Sequence, residues 1–170
     1  MTENFLEKLF EHNNWANLQI IKACATLSDE QLDAEPQSAT KGSIRSTLNH
    51  LVTSQQGYLR LLTIPLEQRL EPVPTPPSAE VEKSIRNSGE ALLALARDSS
   101  RIPKGQLQTR DGFFVEPWVL MVQIINHATE HREQIKNMLT SMWVTPPNID
   151  GWDYGESLNA LIPIEKENKG

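Results

Sequence analysis

Along most of this chain the apolar residues return every three or four positions, the period of a helix rather than of a strand. Over residues 2–27, Phe5, Leu6, Leu9, Phe10, Ile20, Ile21 and Ala25 follow this spacing and predict a first long helix. Its middle, H-N-N-W-A-N, interrupts the stripe with Asn13, Asn14 and Asn17 around Trp15. Asparagine is a poor helix former, so these amides either hydrogen-bond across a buried site or lie on a solvated face; Asn14 is assigned to the solvated face. Ser28, with Gln31 three residues on, matches a capping box and opens a short helix. After a polar linker over residues 36–42, Ile44, Leu48, Leu51, Val52, Leu59 and Leu62 form the apolar sector of a second long helix, residues 43–62.

Residues 65–78 hold five prolines and must be an irregular crossing, because proline removes a backbone donor and clashes with the preceding helical turn. Helical periodicity resumes through Val81, Ile85, Leu92, Leu93 and Leu95, predicting a third helix over residues 78–101 with Ser78 as its cap. The Asp111-Gly112 pair between short alternating runs signals a small hairpin or an extended loop. Pro117 suits the first turn of a fourth helix that runs to Trp143. Pro146 and Pro147 then stop the helix, and the chain must fold back. In that return Trp152 and Tyr154 bury area against the helices while Asp150 and Asp153 cap turns. The charged tail, I-E-K-E-N-K-G, frays. Four long amphipathic helices with a proline-rich crossover between the second and third describe an all-α four-helix bundle, one domain over residues 1–170.

Charge narrows the partners. The formal net charge is −6 and the pI about 5.2, with no run of Lys and Arg to track a phosphate backbone, so nucleic acid is not an expected partner. The amino terminus lacks a basic segment followed by an apolar one, and no stretch approaches a membrane span; a soluble, cytoplasmic protein with no membrane partner is expected. The one cysteine, Cys24, has no CxxC partner and reads as a small core residue.

The candidate chemistry lies in the fourth helix. His127 and His131 are one turn apart and leave the same side. Leu120, Ile124, Ile135, Met138 and Met142 share a stripe that contains His131 and has His127 at its edge, so both rings face the core. Neutral imidazole nitrogens aimed together suit Zn²⁺ and its first-row neighbours. The third candidate ligand is His50, at the side of the second helix among the small residues Ser43, Ser46, Ser54 and Gly57, where that helix can pack antiparallel against the fourth. Three histidines from two helices leave coordination positions open, the catalytic pattern rather than the closed structural one. Two superficially similar signatures fail. H-A-T-E-H matches the H-x-x-E-H of inverzincin proteases with Glu130 as base, but such enzymes need a further acidic ligand well downstream and a much larger substrate-binding body than the residues after His131 would supply. A di-iron bundle needs Glu-x-x-His pairs, and no histidine here lies three residues after a glutamate.

Taken together, N-x-W-A-N at residues 13–17, L-N-H at 48–50, N-H-x-x-x-H-R-x-Q-I at 126–135 and P-P-x-I-D-x-W-x-Y at 146–154 resemble the DinB-like superfamily of metal-binding four-helix bundles, nearly end to end. The resemblance implies that His50, His127 and His131 ligate a divalent metal. Two positions depart from it: Glu133 where members often carry glycine, and His12 where they carry an aromatic residue. Some branches resemble thiol S-transferases that use bacillithiol or mycothiol, which implies a metal-dependent transferase acting on a low-molecular-weight thiol.

Other classes are a non-catalytic metal- or ligand-binding stress-response bundle, a metal-dependent hydrolase, and a helical interaction module whose histidines are core residues. Three imidazoles suit Zn²⁺ and Ni²⁺, with Fe²⁺ and Cu²⁺ also accommodated. Glu130 is a candidate acceptor for an imidazole N–H, and Asp150 and Tyr154 are candidates for the mouth of the site. Apolar flanks such as Ile125 and Trp143 predict a homodimer.

Overall fold

The computed structural model describes residues 4–36, 42–69 and 71–164. Its long helices are α1 (Phe5–Cys24), α3 (Ile44–Thr63), α4 (Val81–Arg97) and α5 (Pro117–Ser141); α2 (Asp29–Asp33) and α6 (Gly151–Ser157) are short, and a two-residue hairpin pairs β1 (Leu107–Gln108) with β2 (Phe114–Val115). Most of the linker expected at 36–42, and all but the first residue of the tail expected to fray, lie outside the described residues.

Local signals account for most boundaries. Asn4 caps α1 through Glu7 N–H, Ser28 forms the expected capping box on α2, and Pro117 starts α5. The cap expected from Ser78 is not used. Ser78 lies in a 3₁₀ turn ahead of α4, which begins at Val81 without a side-chain cap, and its hydroxyl instead accepts from Arg45 Nη1 at 3.3 Å. A second 3₁₀ turn, Ser99–Arg101, follows α4, so the third long helix is shorter at both ends than its periodicity predicts. Apolar spacing does not distinguish a 3₁₀ turn from the last turn of an α-helix. α5 stops where Trp143 adopts a left-handed φ of 60° and Val144 N–H returns to Leu139 O at 3.0 Å.

Side-chain pairs fix the helix directions. Asn4 Nδ2 donates to Ala96 O at 3.0 Å and Arg97 pairs with Glu7 and Glu11, so α1 and α4 are antiparallel. Arg45 meets Ser78 and Gln55 meets Ser88, so α3 and α4 run parallel. His50 and Tyr58 of α3 meet His127 of α5, with Tyr58 also reaching Gln123, so those two are antiparallel. The topology is therefore up, down, down, up, with α1 and α3 each packed on α4 and α5. Two consecutive parallel helices require a connection that travels the length of the bundle. A helix of 20 residues is about 30 Å long, and a chain of the length between α3 and α4 would reach roughly 50 Å if fully extended, so it has slack to spare for turns on the way.

The core falls into two apolar halves. Phe10, Leu62, Leu92, Leu95, Leu120 and Ile124 fill one end, and Ile20, Ile44, Leu51, Ile85, Ile135 and Met138 belong to the other. Each such fully buried side chain contributes about 1.5–3 kcal/mol. Between the halves lies a layer of buried polar residues, Asn13, Asn17, Gln55, Ser88 and Arg132. Asn14, expected on a solvated face, is half-buried, its amide oxygen sitting 2.5 Å from where a Cβ on Gly89 would lie; the absence of a side chain at Gly89 lets α1 and α4 approach. Ile125 is half-buried against the core rather than an open flank, whereas Trp143 is 97% exposed. Among the described residues no helix is long and apolar enough to cross a membrane.

Candidate metal centre

α3 and α5 bring the three predicted histidines together. His127 Nε2 lies 3.1 Å from Nε2 of His50 and 3.1 Å from Nε2 of His131. One nitrogen from each ring falls within a sphere of contacts no wider than 4.8 Å, with His131 buried and the other two half-buried. The rings stand edge to face or tilted, at centroid separations of 4.3–5.0 Å. The i, i+4 spacing on α5 stacks two of them on one side, and the antiparallel α3 delivers the third.

Three neutral imidazoles are a donor set suited to a first-row divalent ion. The spacing suits it as well: nitrogens held at about 2.0–2.1 Å from one ion stand roughly 3.0 Å apart at right angles and roughly 3.4 Å apart in a tetrahedron. The 3.1 Å from His127 to each of the other two rings lies between these values. The residues present therefore fit a metal, and the fit does not select one.

Orientation of the buried ring comes from its own helix. His131 Nδ1 is 2.8 Å from Gln134 Oε1. An amide oxygen only accepts, so Nδ1 carries the proton and Nε2 turns its lone pair toward the cluster. Sequence reasoning missed Gln134, although its position three residues after His131 was the available signal. Glu130, the acceptor expected for this purpose, is exposed. One step along an α-helix turns about 100°, so the Glu130 side chain leaves the helix to one side of His131, toward solvent.

Next to the cluster, Arg132 is buried, and among the described residues no carboxylate pairs with its guanidinium. Nη1 donates to Asn13 Oδ1 and Asn17 Oδ1, both at 2.7 Å, and Nη2 to Thr129 Oγ1 at 2.8 Å. Burial pushes its pKa down to about 10, which leaves it charged at neutral pH. Asn17 Nδ2 passes the network to Gln55 Oε1 at 3.1 Å, and Gln55 Nε2 donates to Ser88 Oγ at 2.8 Å and Ile85 O at 3.0 Å. One chain of hydrogen bonds thus joins all four long helices beside the histidines. The sequence left these amides open between a buried site and a solvated face; the structure buries Asn13 and Asn17 and supplies Arg132 as their partner.

His12 stands apart from the cluster. Its Nε2 donates to Ile149 O at 2.9 Å, and its ring packs against Trp15 and Tyr154. Tyr154 stacks on Trp15 at 5.3 Å and lines a hollow between α1 and α4, where burial raises its pKa. Asp150 caps α6 through the N–H groups of Trp152 and Asp153, and the Asp153 N–H bond helps hold its pKa down. Of the two residues expected at the mouth of the site, Tyr154 therefore anchors the returning segment on α1 and Asp150 caps α6. Trp152, expected to bury area, is 75% exposed. Glu133 is exposed and pairs with Lys136 at 3.0 Å.

The model of the DinB family matches residues 1–167 of this chain. Protein DinB of Bacillus subtilis (strain 168) is 27% identical over 147 residues, which cover 80% of this chain and 85% of that protein. No solved structure matches.

Proposed function

The chain belongs to the DinB family, and from that premise we propose that His50, His127 and His131 hold a divalent metal, Zn²⁺ or Ni²⁺ before Fe²⁺, for transfer of a low-molecular-weight thiol to an electrophile. The observation that carries this reading is the convergence of three imidazole nitrogens from two helices, two of the rings being open to solvent on one side. A bound divalent ion would supply a Lewis acid that keeps a thiolate deprotonated at neutral pH.

The chain's own residues would do the rest. Gln134 holds the proton of His131 on Nδ1 and so keeps Nε2 available. Tyr58 stands edge-on to His127 at 5.6 Å and restricts that ring's rotation. Arg132 and its amides hold α1, α3 and α5 in register and so help set the spacing of the three nitrogens. No protein thiol takes part in this scheme. Cys24 is buried and its pKa is pushed up to about 12 by that burial, which leaves it un-ionised and poorly nucleophilic.

A homodimer is part of the same proposal. Trp143 at 97% exposure, with Trp118 and Val122 also exposed along α5, supports it as apolar surface that a second copy would cover.

The test of function is a panel of bacillithiol, mycothiol, glutathione and cysteine against a model electrophile, comparing chelator-treated with metal-reconstituted protein. A metal-dependent rate with one of these thiols is expected. Metal uptake without any such rate would favour a non-catalytic binding protein, and metal-dependent cleavage of an ester or amide would favour a hydrolase.

A further inference from the structure

A cavity of about 410 Å³ opens beside the histidines, between α3, the proline-rich crossover and the hairpin. It begins at Ser54, one helical turn beyond His50 on the same side of α3, and it shares Tyr58 with the cluster, since that ring lines the cavity and meets His127 edge-on. Its volume lies within the range of small-molecule sites, about 300–1,000 Å³.

Arg69 is the unusual residue of its wall. The side chain comes from the crossover, yet only 6% of the residue is exposed. Two of its donors, Nε and Nη1, are buried and have no hydrogen-bond partner. Among the described residues it forms no ion pair. Its position is imposed by the chain around it: Arg69 N–H donates to Leu66 O at 2.9 Å, and Arg60 from α3 donates to Gln68 O at 3.1 Å and Glu71 O at 3.2 Å, fastening the crossover on both sides. The contrast with Arg132 is instructive, because that equally buried guanidinium is surrounded by oxygen acceptors. A buried guanidinium left with open donors forfeits hydration it does not recover, unless an anion completes it. The acidic groups of the cavity wall, Glu71 and Asp111, are exposed.

We propose that this cavity is the substrate pocket of the three-histidine site and that Arg69 is its anion clamp, so that the molecule acted on at the histidines carries a carboxylate or phosphate group. The proposal rests on the metal-dependent reading above and narrows it: one end of the substrate reaches the histidines past Tyr58, and an anionic oxygen group accepts from Arg69. Arg110, at the exposed edge of the same cavity, adds positive potential at the entrance.

Two sets of probes test it. On metal-free protein, succinate and inorganic phosphate are titrated while thermal unfolding is followed. At least one of them is expected to raise the Tm of the wild type and to lose that effect in Arg69→Met and Arg69→Gln, and the stronger of the two identifies the favoured anion. On metal-loaded protein, calorimetry compares 3-mercaptopropionate with its neutral amide. The acid is expected to bind at least about tenfold more tightly, the gain from hydrogen bonds to a charged group, with the preference falling toward unity in the Arg69 variants and the amide unaffected. Without ligand, Arg69→Met is expected to keep or raise the Tm, since it removes an uncompensated buried charge; a residue that only braced the crossover would lower it. Equal binding of acid and amide in the wild type, or an acid preference that survives both Arg69 variants, overturns the clamp and leaves the metal reading standing. Failure of both thiols to bind metal-loaded protein, with the Arg69-dependent succinate or phosphate effect intact, overturns the thiol reading and leaves the clamp. No Tm response to either anion in the wild type also overturns the clamp.

Discussion

Asn17 and Gln55 sit on α1 and α3, diagonal members of the bundle, and still share a hydrogen bond of 3.1 Å through its centre. Each is almost fully buried. Asn17 spends its oxygen on Arg132 of α5, and Gln55 spends its amide on α4, so neither has an alternative partner in place. Replacing Asn17 with Leu is expected to destabilise the protein by about 3–5 kcal/mol, because it strips an acceptor from a buried charge and the donor from Gln55. Urea unfolding measures this. A loss below about 1 kcal/mol would mean that water replaces the amide and that the network is not a structural tie.

Alanine at His50, His127 or His131 is expected to lower metal content and the metal-induced rise in Tm together, since metal bound only to folded protein contributes its binding free energy to stability. His12→Ala is expected to retain metal, because that ring is bonded to Ile149 O and packed on Trp15. Metal analysis after dialysis checks both. Full metal loading in His50→Ala, with loss in His12→Ala, would show that the third ligand has been misassigned.

Gln134→Leu is expected to weaken metal affinity about 10–100-fold while leaving one equivalent bound at saturation. The substitution releases the Nδ1 proton that the amide oxygen holds at 2.8 Å. Glu130→Gln, at an exposed position, is expected to leave affinity unchanged. Competition with a chromophoric chelator distinguishes them, and equal effects at the two positions would contradict the orienting role of Gln134.

For Cys24 the sign follows from its pKa, raised to about 12 by burial. At pH 8 the folded protein holds it almost wholly as thiol, whereas an unfolded chain with an ordinary cysteine pKa near 8.5 presents thiolate. Iodoacetamide labelling is expected to be slow in the native protein and fast in denaturant. Raising the pH through about 9 is expected to lower stability, because only the unfolded state gains from ionising this group. Cys24→Ser is expected to retain any metal-dependent turnover. Rapid native labelling at pH 8 would overturn the assignment of Cys24 as a buried, inert residue.

Light scattering at micromolar concentration is expected to give a dimer mass. Trp143→Ser, at the most exposed tryptophan, is expected to shift it toward monomer. A monomer mass for the wild type would mean that this surface is left to solvent.

Periodicity carried the four long helices, the crossover and the stripe holding His131, because helix amphipathicity is a local property of 3.6-residue repetition and proline acts on its own backbone. The capping box at Ser28 and the start at Pro117 were legible for the same reason. Two of the three histidines could be paired from spacing alone. Joining His50 to them needed the antiparallel contact of α3 with α5, which is a long-range fact. What only the tertiary structure decided depends on which faces meet: that α3 and α4 run parallel, that Gln134 rather than Glu130 orients His131, and that Tyr154 packs on α1 while Asp150 caps α6. A lone polar residue in a sequence does not reveal whether its partner lies across a core or in water. Asn17 and Arg132 are 115 positions apart yet hydrogen-bonded, while Arg69 is buried on a segment that its prolines and charges alone would have left to solvent.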